Sequence, residues 1–355
     1  VTKLNSSGTA PLLASMRIGG SADDGVNIKA GRGGTQSLEQ NYGDDGRSEV
    51  IVDRAGNVYV ASCTQSANFP TSAGAFQTAK KGGQDGVVLK FDANLNRIFS
   101  TCLGGDGNDA AYVLSISPNS GEIFVGGGTA SKNFLLGSPT GAVGSAPYNN
   151  DPGDIDGFVA RLSNDGSAVL GYAYIGTPSI DQVYGVQFDR LGYPYIMGQT
   201  RGNWQVINAT YSNAGGKQFI AKLQPDLSAY IYSTMFGTAG SVVPNISPTA
   251  FLVDRCENVY VSGWGGEIVQ NSYPSAGTSG LPVTPDAHKP TTDNKDFYFF
   301  VLRKNAVGPD PLYASFFGEN GAVTDHVDGG TSRFDLNGVI YQGVCANCDG
   351  GPYPP

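Results

Sequence analysis

Residues 52–62 read VDRAGNVYVAS, and residues 253–263 read VDRCENVYVSG. In both copies, a polar turn that begins with aspartate and contains asparagine leads into a run of β-branched and aromatic residues. This pattern is typical of a β-hairpin, because glycine and asparagine accept positive φ angles while valine and tyrosine suit a pleated surface. The same hairpin written twice, about 200 residues apart, indicates a repeat architecture.

Three further copies of this hairpin are present. Their turns carry Gly121, Gly192 and Gly338, where the two copies quoted above carry Gly56 and Glu257. Successive turns are therefore 65, 71, 65 and 81 residues apart. The chain thus repeats one unit five times, with glutamate replacing the turn glycine in the fourth copy.

A second pair of strand-like segments recurs between these hairpins. The first segment of each pair reads VTKLN from Val1, VVLKFDANL from Val87, FVARLSNDG from Phe158, FIAKLQPDL from Phe219 and FFVLRKNAV from Phe299. Each is followed by an aromatic or aliphatic run that ends at glycine. Four short strands that cannot bury both faces alone, repeated in series, are typical of a β-propeller. The sequence therefore predicts an all-β fold, a β-propeller of four-stranded antiparallel blades with five visible repeats.

The order of the segments bears on the number of blades. The sequence opens with two outer strands and finishes with a fifth inner hairpin. Five blades result if these four strands pair, and six to eight if further repeats exist. We expect residues 1–355 to form a single β-propeller domain, a fragment that begins and ends within a repeat. A polar loop insertion occupies residues 21–48.

Composition argues against several classes of partner. Only 15% of the residues are charged and the net charge is −9, which disfavours electrostatic binding to nucleic acid. No apolar run approaches the roughly 20 residues of a membrane helix, so we expect no direct membrane insertion. The 51 glycines and 20 prolines fit a fold with many turns.

Two parts of the chain resemble a known family. Residues 56–78, GNVYVASCTQSANFPTSAGAFQT, and residues 85–116, DGVVLKFDANLNRIFSTCLGGDGNDAAYVLSI, resemble the SBBP β-propeller repeat of bacterial surface proteins. The second half, including PNISPTAFLVDRCENVYVSGWGG at 244–266, is similar to the propeller region of very large Bacteroidota surface proteins. The resemblance extends over nearly the whole chain, and the insertion at 21–48 departs from the pattern.

The resemblance implies a location and a set of partners. Proteins of this kind are exported by the type IX secretion system and displayed at the cell surface, with adhesion and gliding motility as their usual associations. The partners would be the secretion machinery and other cell-surface proteins or glycans. The C-terminal sorting domain of such proteins is not in this sequence.

Cys345 and Cys348 form a C-x-x-C motif and are the candidates for a disulfide. Reduced or otherwise paired thiols, or a metal or redox site, are the alternatives. A zinc site would need a second pair of ligands, and His288 and His326 stand alone in the sequence. The other cysteines lie on or near strands and are expected to pack as small hydrophobic residues: Cys63, Cys102 and Cys256.

Clusters of acidic residues raise the question of calcium, which prefers hard oxygen ligands. None of them has EF-hand spacing, and aspartate also stabilises turns by bonding to nearby backbone. We therefore predict no cofactor, with bound calcium as the alternative. The clustered residues are Asp23, Asp24, Asp44, Asp45, Asp106, Asp109, Asp151, Asp154 and Asp156. Three aspartates recur just before an outer strand, which favours a structural role: Asp85, Asp156 and Asp296.

The sequence lacks the common catalytic motifs. It contains no G-x-S-x-G and no H-E-x-x-H, and residues 163–167 approach a sialidase-type Asp box without its terminal aromatic residue. Trp204 and Trp264 follow second strands and could stack on a sugar or pack between blades. We predict a non-catalytic structural or adhesive module. The alternative is a carbohydrate-binding or carbohydrate-active propeller, a lectin or glycoside hydrolase, suggested only by what such folds often do.

Overall fold

The computed structural model describes residues 1–5, 12–29, 37–135, 137–141, 143–144, 147, 154–266, 276–318, 332–335 and 337–343. Within these residues the regular structure consists of β-strands and two three-residue 3₁₀ helices, with no α-helix. The prediction of an all-β fold is therefore confirmed. No helix in the described part of the chain is long and apolar enough to span a membrane.

Most strands belong to four antiparallel sheets of four strands each, and two pairs of short strands flank them. The first pair is β1 (Thr2–Lys3) and β2 (Ala14–Ser15). The four sheets contain, in chain order, β3 (Glu49–Val52), β4 (Val58–Thr64), β5 (Asp85–Phe91), β6 (Arg97–Leu103); β7 (Asp109–Ile116), β8 (Ile123–Thr129), β9 (Asp156–Leu162), β10 (Val169–Ile175); β11 (Asp181–Phe188), β12 (Pro194–Thr200), β13 (Gln218–Leu223), β14 (Tyr230–Phe236); and β15 (Ser247–Val253), β16 (Val259–Trp264), β17 (Phe297–Leu302), β18 (Tyr313–Phe317). The last pair is β19 (Ser332–Phe334) and β20 (Ile340–Gln342).

Each sheet is a meander in which every strand pairs with the next one along the chain. We name the four sheets blades 1 to 4, the pair β1–β2 the N-terminal half-blade, and the pair β19–β20 the C-terminal half-blade. The first strands of the blades, together with β19, line one central cavity. This arrangement is β-propeller-like, as the repeat predicted.

Both faces of a blade are buried against neighbours. In blade 1, Tyr59 and Val88 pack towards Phe158 of blade 2, whereas Val60 and Leu89 pack with residues of the N-terminal half-blade segment. Every residue of β5, β8, β12 and β13 is buried. These strands read as nearly continuous apolar runs because a side chain on either face meets another blade.

The repeated hairpin turn is organised by its aspartate. In the first copy, one carboxylate oxygen of Asp53 accepts hydrogen bonds from the backbone N–H groups of Ala55 (2.9 Å) and Asn57 (2.8 Å). The other oxygen accepts from the Asn57 side chain (2.8 Å) and the Tyr59 hydroxyl (3.2 Å). The same four contacts recur around Asp254. The repeated sequence is therefore a set of donors and acceptors that fixes the turn.

Glu257 adopts the left-handed conformation that the other copies assign to glycine, with φ of 66°. Its buried carboxylate lies 2.9 Å from Lys222 Nζ and 2.8 Å from Lys304 Nζ, and it accepts a hydrogen bond from the Tyr195 hydroxyl. Burial alone would raise the pKa of Glu257, but Lys304 and Lys222 outweigh burial and lower this pKa to about 2. Lys222 also pairs with Asp189 at 2.8 Å. This cluster joins blades 3 and 4 and offsets the backbone strain.

Two substitutions of Glu257 distinguish the cost of its left-handed backbone conformation from the contribution of its ion pairs with Lys222 and Lys304. Glu257→Ala removes the ion pairs and keeps a side chain in the left-handed region, which costs about 1–2 kcal/mol. Glu257→Gly removes the same ion pairs and relieves that strain. We expect both variants to have a lower free energy of unfolding in urea, with alanine the less stable by about 1 kcal/mol. Equal losses would show that the conformation is not strained.

Candidate functional site at the central axis

The central cavity is the place in this fold where residues from all blades meet. It has a volume of about 130 Å³ and is bounded by β3, β7, β11, β15 and β19. Its polar lining includes Arg47, Glu49, Tyr184 and Arg333, and Phe251 forms part of an apolar wall. A concave site with a few converging polar groups is the usual place for a ligand, so we take this cavity as the candidate site.

The polar insertion enters the axis from one end of the cavity. The carbonyl oxygen of Leu38 accepts hydrogen bonds from the Tyr112 hydroxyl (2.9 Å) and the Gln182 amide (2.7 Å). The side-chain oxygen of Asn41 accepts from the Ser247 hydroxyl at 2.8 Å. The insertion thereby contacts the first strands of blades 2, 3 and 4. The sequence predicted a loop at these residues but not that it bonds to the inner strands.

A buried ion pair lies at the inner end of the insertion. Asp44 accepts from Arg47 Nε (2.9 Å), the Tyr184 hydroxyl (2.9 Å) and the backbone N–H of Gln40 (2.9 Å). Arg47 also donates to the carbonyl of Pro248 at 2.9 Å, and its guanidinium lies 4.3 Å from the centre of the Tyr184 ring. Burial raises the pKa of the Asp44 carboxyl, and the charge of Arg47 opposes that rise. The pair is stable because nearly every polar atom has a partner.

Glu49 lies at the beginning of β3 and also lines the cavity. One of its carboxylate oxygens accepts from the backbone N–H of Leu114 at 2.8 Å, and the other lies 3.3 Å from the guanidinium of Arg333. Burial raises the pKa of Glu49, while the charge of Arg333 acts in the opposite direction. Arg333 is 46% exposed, so this side of the cavity opens towards solvent.

This arrangement restricts the chemistry that the cavity can perform. At about 30 Å³ per water molecule, the cavity has room for about four waters, which is less than the usual ligand pocket of roughly 300 Å³ or more. Among the described residues that line it there is no histidine or cysteine. The carboxylate that lines it, Glu49, already faces Arg333, and the lining guanidinium of Arg47 is already paired with the buried Asp44. The described site can hold water or a small polar group between balanced charges.

The predicted cysteine site falls outside the described residues, since these do not include Cys345, Cys348 or His326. The remaining cysteines are free thiols. Cys63 and Cys102 are buried as predicted, and burial raises the pKa of each thiol to about 12. Cys256 is exposed instead, because it lies beside the exposed Arg255 at the tip of a hairpin turn.

The acidic residues singled out in the sequence do not converge on one point. Among the described residues there is no group of three or more His, Cys, Asp or Glu that could hold a metal ion; Asp151 is not among them. Asp109 accepts hydrogen bonds from the backbone N–H of Gly105 (2.8 Å) and the hydroxyls of Ser131 (2.7 Å) and Thr129. Asp24 makes the equivalent contacts in blade 1. These carboxylates fasten the loops between blades.

The tryptophans considered as sugar platforms are packed inside the protein. Trp204 is 7% exposed and stacks on Phe219, with ring centroids 3.8 Å apart. Trp264 is 3% exposed and makes an edge contact with Tyr42 of the insertion. Both rings are therefore largely covered by neighbouring side chains. Of the two possibilities considered for these tryptophans, the structure shows packing against neighbouring side chains.

The functional candidates that the sequence did not reveal are Arg47, Glu49 and Arg333. Arg47 is 5% exposed and Glu49 is 9% exposed, which is unusual for charged side chains. Asp44 was identified in the sequence as one of the clustered acidic residues. Nothing in the sequence joined it to Arg47, because this pair is defined by a single-copy insertion and not by the repeat.

Comparison with known proteins adds little about activity. No protein-family model matches the chain, and no curated protein matches it. Among solved structures, a luciferin-regenerating enzyme matches with a TM-score of 0.31 at 10% sequence identity. The match covers 64% of this chain and 57% of the chain of that enzyme. A thermostable family-43 glycoside hydrolase matches with a TM-score of 0.38 at 10% sequence identity. The match covers 82% of this chain and 80% of the hydrolase chain. A protein of unknown function from Dyadobacter fermentans DSM 18053 has a TM-score of 0.36 at 12% identity and covers 75% of both chains. The description of the fold therefore rests on its own strand pairing.

Removing Arg47 tests the ion pair on the axis. Arg47→Met leaves the carboxylate of Asp44 buried without its charge partner, and we expect the free energy of unfolding to fall by about 3–5 kcal/mol. The double variant Asp44→Asn/Arg47→Met removes both charges and should recover part of that loss. Urea unfolding measures both. A loss below about 1 kcal/mol in the single variant would contradict the buried pair.

Asp109 should make stability depend on pH. Burial raises its pKa to about 7, although three hydrogen bonds act in the opposite direction. Because the folded-state pKa lies above the unfolded value, its contribution is complete below about pH 4 and is lost as the pH rises through about 7. We expect Asp109→Asn to remove this dependence. Urea unfolding from about pH 4 to about pH 8 measures it, and parallel curves for the two proteins would contradict the raised pKa.

Proposed function

We propose that this chain is a non-catalytic β-propeller module of a secreted surface protein, and that it displays loops for contact with proteins or glycans. The observation that carries the proposal is the occupation of the axis by the chain's own insertion. Leu38, Asn41, Asp44 and Arg47 contact the inner strands there. A substrate would have to displace a network whose members already bond to one another.

The outer surface is the part of the molecule left for recognition. Hairpin turns such as those at Asp53 and Asp254 are held rigidly from within, while their flanking side chains at Arg54 and Arg255 face solvent. Rigid frames that carry exposed loops are a common basis for binding. Export by the type IX secretion system and display at the cell surface are part of the proposal and rest on the sequence resemblance described above.

Turnover and binding assays on the purified chain test the proposal. We expect no product above the protein-free control with a panel of polysaccharides and aryl glycosides. Any binding on a glycan array should survive Glu49→Gln, a change inside the cavity, as well as Glu122→Gln. Glu122 pairs with Arg161 at 2.9 Å, away from the cavity, and provides a matched control.

Two results would overturn the proposal. Turnover that Glu49→Gln abolishes and Glu122→Gln retains would identify a glycoside hydrolase. Binding with the same pattern of loss would identify a lectin site in the cavity. Surface location is tested separately by protease treatment of intact cells that produce the protein, since an internal protein would remain intact.

A further inference from the structure

The two half-blades have complementary strands. In the N-terminal half-blade, Thr2 pairs with Ser15, just as Leu89 pairs with Ser100 in blade 1, so β1–β2 corresponds to the third and fourth strands of a blade. The C-terminal half-blade carries the repeated hairpin with Gly338 at its turn, so β19–β20 corresponds to the first and second strands. Each half-blade therefore lacks the two strands that the other contains.

The N-terminal half-blade lies on blade 1 as a complete blade would. Lys3 donates from Nζ to the carbonyl of Ala93, in the turn between the third and fourth strands of blade 1. The equivalent lysine of blade 1, Lys90, donates to the carbonyl of Asn164 at the corresponding turn of blade 2. The N-terminal half-blade thus takes the position of the blade that precedes blade 1.

The C-terminal half-blade lies on blade 4 in the same way. Phe334 makes an edge contact with Tyr260 at 5.9 Å between ring centroids. The equivalent residues of blades 3 and 2, Phe188 and Phe124, make an edge contact at 4.9 Å. The C-terminal half-blade therefore takes the position that follows blade 4.

Blade 1 and the C-terminal half-blade meet at the central cavity. Glu49 of β3 and Arg333 of β19 form a 3.3 Å ion pair there, and both strands line the cavity. A further blade between them would place its own first strand there and separate the two side chains. The described inner strands thus surround the cavity at five positions.

We propose that β1 pairs antiparallel with β20, so that the two half-blades form a single fifth blade. The register follows from the complete blades, where Tyr59 pairs with Lys90 and Phe124 pairs with Arg161. The same spacing from the turn glycine places Tyr341 opposite Lys3. It also places Ile340 opposite Leu4, and Gln342 opposite Thr2. In the structure β1 pairs with β2, and β20 pairs with β19. The proposal adds the pairing between β1 and β20 to these two.

A recurring pair of side chains supports this register. In blades 1 to 3 the basic residue of the third strand lies over the aromatic ring opposite it on the second strand. The pairs are Lys90 with Tyr59 at 5.0 Å, Arg161 with Phe124 at 5.7 Å and Lys222 with Tyr195 at 5.0 Å. Lys3 is exposed and Tyr341 is 61% exposed. The two members of a fourth such pair are present on the two half-blades.

The exposure of Leu4 is the strongest anomaly that the pairing removes. Leu4 is 69% exposed, whereas the equivalent residues of the four complete blades are 0% exposed: Phe91, Leu162, Leu223 and Leu302. Beside Ile340, a hollow of about 300 Å³ is lined by Phe299 and Phe317 of blade 4. The proposed register brings Leu4 next to Ile340 and therefore to this hollow. Burial of apolar surface is the driving force for the pairing.

Engineered disulfides in the full chain test the register. Thr2→Cys with Gln342→Cys places two cysteines directly opposite each other, within the reach of a disulfide. Lys3→Cys with Gln342→Cys is the matched control, because a shift of one residue points the two side chains to opposite faces. Both pairs are made in a background that lacks the exposed thiol and the C-x-x-C motif, through Cys256→Ser, Cys345→Ser and Cys348→Ser.

We expect oxidation to give a monomeric cross-linked chain with the first pair and free thiols with the control. Peptide mapping locates the bond. Disulfide-linked dimers would show that β1 pairs with β20 of a second copy, and free thiols in both proteins would show that the strands do not meet. Either result overturns the proposal.

Substitution of exposed leucines gives an independent measurement. Leu13 is 56% exposed, and its equivalent in blade 1, Ile98, is also exposed at 47%. Leu4→Ser should therefore lower the midpoint of thermal unfolding, while Leu13→Ser should leave it nearly unchanged. Similar midpoints for the two variants would contradict the burial of Leu4 in a fifth blade.

Discussion

A blade of this protein has two apolar faces, and that constraint governs the whole architecture. Strand β5 illustrates it, because every residue from Asp85 to Phe91 is buried. A sheet with two such faces is stable only between two neighbours, so blades must continue until the series meets itself or another surface covers the last face. The half-blades at the two ends of the series matter for the same reason, since each exposes apolar side chains that an interior blade would cover.

The axis obeys a different rule from the blades. The inner strands carry polar groups at the axis, beyond the apolar faces of the blades. These groups form hydrogen bonds with the insertion, which belongs to no blade. Asp44 accepts from several donors and Arg47 contacts both the insertion and blade 4. A buried network of this kind contributes to a unique packing only when its members are paired. The insertion therefore acts as a common partner for the inner strands of blades 2, 3 and 4.

The sequence predicted those features whose contacts are local. The hairpin at Asp53 is organised by bonds that reach two to six residues along the chain, so its pattern is visible in the sequence and recurs with the repeat. The axis could not be predicted in this way. Arg47 bonds to Pro248 across 201 residues, and no periodicity links them. Glu257 was visible as an exception to the turn glycine, but the lysines that stabilise it come from strand β13 and from the 3₁₀ helix that follows β17.

The insertion also imposes an order on how the molecule is assembled. Its residues leave the ribosome before those of blades 1 to 4, yet Asn41 bonds to Ser247, which follows 206 residues later. Blades 1 to 3 can fold during synthesis, because their pairings are between consecutive strands, and domains generally fold in the order in which they emerge. The axis must stay hydrated until blade 4 has been made. Contacts of such long sequence separation form slowly, so completion of the axis would be a late step in the folding of this chain.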